Sequence, residues 1–129
     1  MSIELQMLVW SIVLGLVHIA TSATFTTLQR GIGWNAGARD GEPRPLGLIA
    51  GRLDRANRNF LETLVFFAAA VLAVLIAQKS DSNTALGVQL YFWARLAYLP
   101  IYAAGVPWLR TLIWLVAMAG LVLVLGALF

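Results

Sequence analysis

The chain has no cysteine. That excludes disulfides, thiolate metal sites and a cysteine nucleophile within it. Charge is scarce too. Charged residues make up 12% of the sequence and apolar ones 60%, against about 25% and about 45–50% in soluble domains. A soluble surface cannot be assembled from that mixture, so the chain reads as an integral membrane protein. There is one histidine, His18, and a single imidazole does not build a metal site. No internal repeat and no low-complexity tail is visible. At 129 residues the chain reads as one membrane domain, 1–129.

What is abundant is continuous apolar sequence. Four segments stand out, at about 5–28, 60–77, 85–104 and 108–129. A spanning helix takes ~20 mostly apolar residues, and backbone groups in lipid must be bonded internally. The segments are unbroken, not alternating, so helices are expected and a barrel is not. The expected fold is an all-α integral membrane bundle of four transmembrane helices. The second segment is short unless its charged start continues the helix outward. Glu4 precedes the first segment and no Lys or Arg does, so it reads as a retained span, not a secretion signal.

Six of the nine basic residues are arginines between positions 30 and 58. The loop from about 30 to 52 holds Gly31, Gly33, Gly37, Gly41, Pro43 and Pro45 among Arg30, Arg39, Arg44 and Arg52. Its composition marks a true loop, and its charge places it on the cytoplasmic side. The link from Gln78 to Thr84 carries only Lys79 and Asp81 and falls on the opposite face, with both termini. Arg39, Arg44 and Arg52 read as ordinary contacts to lipid phosphate.

The polar residues of the second helix share one stripe. At ~100° per residue with Arg55 at zero, Asn59 falls at about 40°, Glu62 at about 340°, Arg58 at about 300° and Arg52 at about 60°. On the third helix, with Tyr91 at zero, Arg95 falls at about 40°, Tyr98 at about 340° and Tyr102 at about 20°. Arg95 sits near the middle of its span, where an unpaired charge costs at least ~2.5–3.5 kcal/mol. If the turn between the two helices is centred near residue 81, Glu62 lies level with Leu99 and Pro100. A pairing of Glu62 with Arg95 is then expected, walled by tyrosines and rimmed by Arg110. Such a pocket suits a small polar anion with peptide-like groups, and a lipid-soluble reactant could arrive laterally. His18 is expected to hydrogen-bond between helices.

These motifs resemble a known family, the membrane-associated proteins in eicosanoid and glutathione metabolism (MAPEG). The carrying residues are Arg55-x-x-x-Asn59-x-x-Glu62 before an apolar helix, Arg95-x-x-Tyr98-x-x-x-Tyr102, and Arg110-Thr111 at the next helix start. The stretch Trp34-Asn35 to Arg39-Asp40 is similar to the loop of the bacterial branch. The chain departs from the family pattern at Gly51, Asn57 and Phe60. The resemblance implies a four-helix subunit of a homotrimer in a bacterial inner membrane, with glutathione as co-substrate held between subunits. It implies that Arg55, Asn59, Glu62, Tyr98 and Tyr102 contact glutathione, with Arg30 from the first helix. Arg58 and Arg95 join this set from their stripes. Arg110 would lie near the thiol as the catalytic cation. The implied activity is a glutathione transferase acting on a lipophilic electrophile, with peroxidase action on lipid hydroperoxides. The rival reading is a non-enzymatic membrane protein that binds an anionic lipid or a cytoplasmic partner through the same basic rim. A transporter has less support, since a single unit of four spans offers no inverted repeat.

Overall fold

A computed structural model describes all residues, Met1–Phe129. The chain is all-α: α1 (Ile3–Arg30), α2 (Ile32–Ala36), α3 (Leu48–Ile76), α4 (Ser82–Ala104) and α5 (Pro107–Gly126). At 1.5 Å per residue α1 is about 42 Å long, α3 about 44 Å, α4 about 35 Å and α5 about 30 Å. Three of them, α1, α3 and α5, are long and apolar enough to cross a membrane. α4 has the length, but its stripe of Tyr91, Arg95, Tyr98 and Tyr102, with Gln89 on another face, dilutes its apolar character.

The helix ends follow local chemistry. Ser2 caps α1, its hydroxyl accepting from the Leu5 amide at 3.2 Å. Asp81 and Thr84 form a reciprocal capping box at the start of α4. Pro107 opens α5, where its missing N–H costs nothing. The second span does not begin at residue 60. α3 begins at Leu48, twelve residues earlier, because Arg52, Asp54, Arg55 and Arg58 extend the helix beyond its apolar part. The stretch expected to be only loop therefore holds the first turn of α3 and the short α2 as well.

The buried Glu4 accepts a hydrogen bond from the Thr84 hydroxyl at 2.7 Å. This places the starts of α1 and α4 side by side, so those helices run parallel and α3 and α5 run against them. The consequence is chemical. The end of α1, the start of α3, the end of α4 and the start of α5 gather at one end of the bundle, and eight of the nine basic residues reside on them or on the loop between α1 and α3, or on α4 nearby. The core beneath is aliphatic and aromatic: Phe60, Phe67, Val71, Val74, Val88, Tyr91, Ala117 and Val124 are fully buried. Phe67 and Tyr91 stack with ring centroids 3.9 Å apart. α4 and α5 cross where Gly87 meets Gly120. The outward faces stay apolar, with Trp10, Leu16, Val65, Phe66, Ile76, Leu112 and Val122 exposed. Such a surface fits hydrocarbon, not water.

Candidate functional site

Three guanidiniums converge at the basic end. Arg52 and Arg55 lie on the first turns of α3, and Arg110 lies on the first turn of α5. With Tyr102, Gly105 and Pro107 they line a cleft of about 220 Å³. Arg55 Nε donates to the Tyr102 hydroxyl at 3.1 Å. The Arg110 guanidinium sits over the Tyr102 ring, 4.8 Å from its centroid. Arg52 Nη1 donates to the Ala103 carbonyl at 3.2 Å. Gly105 closes α4 in a left-handed conformation, with φ 78°. A Cβ there would lie 2.5 Å from the Arg52 Cζ. The left-handed turn calls for glycine, and a Cβ there would push the Arg52 guanidinium from its place.

No carboxylate neutralises these cations. The only ion pair in the chain is Arg58 with Asp54, at 2.6 Å on the outer surface of α3. A cleft with three guanidiniums and a phenol is a receptor for carboxylate or phosphate oxygens, which arginine holds bidentately.

Below the cleft, cations and rings alternate into the bundle. Tyr98 and Tyr102 meet edge to face at 5.5 Å. Arg95 lies over Tyr98, its Cζ 4.1 Å from the ring centroid. The same guanidinium lies 5.4 Å from the centroid of Phe60, and Phe60 stacks on His18 at 4.7 Å. The spacing of Arg95, Tyr98 and Tyr102 on α4 is what builds this column. Cation–π attraction strengthens when the cation is desolvated, and Arg95 is fully buried.

The expected pairing of Glu62 with Arg95 is not formed. Arg95 packs against Phe60 and Tyr98, and none of its nitrogens meets a carboxylate. Phe60 and Glu62 are two residues apart, hence about 200° apart around α3. The face that carries Phe60 meets Arg95, so Glu62 points away and is exposed. The level assignment also shifts. Thr63 bonds Tyr91 at 2.9 Å and Arg55 bonds Tyr102, so level residues sum to the mid-150s, not to about 162. The main cause is that α4 begins at Ser82, about three residues before the expected start, so the turn is centred nearer residue 79.

Within the single chain Arg30 lies apart from Arg55 and lines a separate cleft with Trp34, Glu42 and Arg44. Other expectations need correction. Tyr91 belongs to the core through Phe67 and Thr63, not to the polar wall. His18 makes no interhelical hydrogen bond and is held by stacking on Phe60. Thr21 and Thr24 bond back to Val17 and Ala20 on their own helix. Asn59 lies half-buried and Arg58 is exposed, both outside the cleft. Arg55, Tyr102 and Arg110 are the expected residues that the fold brings together in the cleft, with Tyr98 immediately behind. Arg52 was assigned to lipid and lines the cleft instead. Its place about 60° from Arg55 on the helix was the available signal.

The fold and this cleft define a multi-pass helical membrane protein with an anion-receptive site at one end. A family model described as "MAPEG family" matches residues 7–129. The chain belongs to the MAPEG family. No curated protein and no solved structure gives a match.

Proposed function

We propose that the chain is a subunit of a four-span, homotrimeric membrane glutathione transferase of an inner membrane, with the basic end cytoplasmic. The family includes glutathione transferases and related enzymes. The observation that carries the reading is the convergence of Arg55, Tyr102 and Arg110 in one cleft without a carboxylate. Glutathione brings two carboxylates to such a cleft. Its ammonium needs an anion, and Glu62 is the nearest candidate on the same helix. Glu62 stands at the middle of α3 and is exposed on the single chain. Left facing lipid, a carboxylate inside the apolar stretch, even near its start, is costly. A neighbouring subunit that covers it, with Arg58 and Asn59 beside it, removes that cost and completes the site. Tyr98 and Arg95 would support Tyr102 from behind. Arg30 lines another cleft of its own chain and would reach the co-substrate across the boundary with a neighbouring subunit.

The chemistry follows from the cation at the rim. Arg110 near the bound thiol favours the thiolate over the thiol. The thiolate attacks an electrophilic carbon, a C–S bond forms and the leaving group departs with the electron pair. With a lipid hydroperoxide, the thiolate attacks the outer oxygen and the alcohol leaves. A second glutathione then gives the disulfide and water. The exposed apolar faces supply a route for a lipophilic electrophile.

The test is conjugation of glutathione to an aryl halide by purified protein in detergent. Arg110→Ala should lower kcat by about 10²-fold, the scale for losing one group that stabilises developing charge, and leave glutathione bound. Arg55→Ala should weaken binding of glutathione itself. Absence of conjugation, or unchanged turnover in Arg110→Ala, would overturn the proposal.

A further inference from the structure

The three guanidiniums of the basic cleft are held in different ways. Arg55 is bonded to a phenol, and Arg110 lies over a ring. Of the three, only Arg52 is bonded to backbone, its Nη1 donating to the Ala103 carbonyl at 3.2 Å. That carbonyl belongs to the last turn of α4, where the final carbonyls have no intrahelical partner. The turn that follows satisfies two of them. The Gly105 amide donates to the Tyr102 carbonyl at 3.0 Å, and the Val106 amide to the Ile101 carbonyl at 3.4 Å, the pair of bonds that a left-handed glycine after a helix allows. The Ala103 carbonyl is left over. Four residues on stands Pro107, which has no N–H to offer it. Arg52 takes this acceptor, and the partial negative charge of the helix end favours a cation there.

The same contact fixes a link. Only Gly105 and Val106 separate α4 from α5. The Arg110 amide donates to the Val106 carbonyl at 3.2 Å, so the turn that carries Arg110 starts from that link. The Arg52 guanidinium fills the space beside Gly105: its Cζ, Nη2 and Nη1 lie 2.5, 2.6 and 2.7 Å from where a Cβ would stand. The link is thus bonded at Ala103 and packed at Gly105 by one side chain. Every part of this contact lies within a single chain, so no neighbouring subunit is needed to form it.

We infer that Arg52 is a positioning residue for the proposed transferase reaction. It clamps the α4–α5 link and so keeps the Arg110 guanidinium over Tyr102, where it favours the thiolate of the bound co-substrate. Arg52 serves the backbone, and ligand oxygens fall to Arg55. The inference rests on the glutathione reading for the role of Arg110.

The experiment compares the full chain in detergent with Arg52→Met, which keeps an unbranched side chain without donors, and with Arg52→Lys. Three quantities are measured: conjugation of glutathione to an aryl halide across pH, glutathione affinity by calorimetry, and amide hydrogen exchange without ligand. Arg52→Met should lower kcat at neutral pH about tenfold, a misplacement of Arg110 and not its loss. Glutathione affinity should stay within about twofold, since no bond to the ligand is removed. The deficit in kcat should shrink as pH rises, because the thiol then ionises without help from Arg110. Arg52→Lys should restore most of kcat, since an ammonium can donate to the same carbonyl and keeps the charge at the helix end. Exchange at the Gly105, Val106 and Arg110 amides should quicken in Arg52→Met, while exchange around Gly126 at the far end of α5 stays as it was. Unchanged exchange at the link would overturn the inference, as would a kcat deficit equal at every pH. Glutathione binding weakened about tenfold or more, the scale of a lost charge-assisted hydrogen bond, would also overturn it and make Arg52 a ligand contact. Unchanged turnover in Arg110→Ala, with exchange at the link still quickened in Arg52→Met, would instead overturn the reading of Arg110 on which the inference rests.

Discussion

Adding one methyl group at the α4–α5 crossing should separate two otherwise identical substitutions on α5. A Cβ on Gly120 would lie 2.5 Å from the Gly87 carbonyl oxygen and 2.8 Å from the Tyr91 amide nitrogen. Both are backbone atoms of α4, so neither can rotate aside. Restoring ordinary contact requires the helices to part by about 1 Å. Overpacking of this kind costs about 1–3 kcal/mol, and two backbone clashes place it at the upper end. Alanine returns about 1 kcal/mol of helix preference over glycine. The net is a destabilisation of about 2 kcal/mol for Gly120→Ala. Gly126, six residues along the same helix, has nothing within 4 Å of its added Cβ. Gly126→Ala should therefore be neutral, or stabilising by up to ~1 kcal/mol. Thermal denaturation in detergent, followed by the intrinsic fluorescence of the five tryptophans, reads both. A lower midpoint for Gly120→Ala beside an unchanged or higher one for Gly126→Ala is expected. Equal shifts in the two variants would refute the close crossing and the argument built on it.

Tyr102→Phe removes the acceptor for Arg55 but keeps the ring under Arg110; glutathione affinity should fall about fivefold, the scale of one hydrogen bond, as read by calorimetry. Thr63→Val should cost about 1 kcal/mol, since it strands the buried Tyr91 hydroxyl, and Tyr91→Phe should cost less, since Thr63 keeps its bond to the Phe60 carbonyl. The double variant should cost less than their sum in the same denaturation assay. Arg95→Met replaces a fully buried cation by an apolar chain of similar volume. It should leave stability unchanged or raise it by about 1–4 kcal/mol, whereas Arg95→Ala opens a hole under Tyr98 and should lower it by about 2–5 kcal/mol. Equal losses for the two variants would mean that the guanidinium charge itself, not its volume, holds the column together. Thr84→Val strips the Glu4 contact and the hydroxyl half of the capping box, leaving its amide bonded to Asp81, and should lower stability by about 2 kcal/mol.

The residues of the candidate site were visible in the sequence because a membrane chain carries few polar side chains and each must be accounted for. The stripe on α3 and the row Arg95, Tyr98 and Tyr102 on α4 follow from a period of 3.6 residues. The two rows were expected to face one another with Arg110 at the rim, but that Arg55 meets Tyr102 depends on a level which the packing set. Arg95 failed as a partner for Glu62 because angular position on one helix does not say which part of that helix faces its neighbour. Phe60 took the contact, and 200° of rotation separates it from Glu62. The surroundings of Arg30 in the chain were illegible for a related reason: where the loop folds back was decided by Gln29, Asn35 and the Arg44 carbonyl, contacts that have no periodic signature.

Composition and periodicity alone determined that the chain is helical, that it belongs in a membrane, and which residues lie on each helix's polar face. Those properties depend on solvent and on the geometry of a single helix, and both are local. The rotation of each helix about its axis, the depth at which two helices come level, and the division of the arginines between two clefts were decided only by tertiary packing. They depend on how Phe60, Tyr91, Gly87 and Gly120 fit against other helices, and that fit is a property of the assembled bundle.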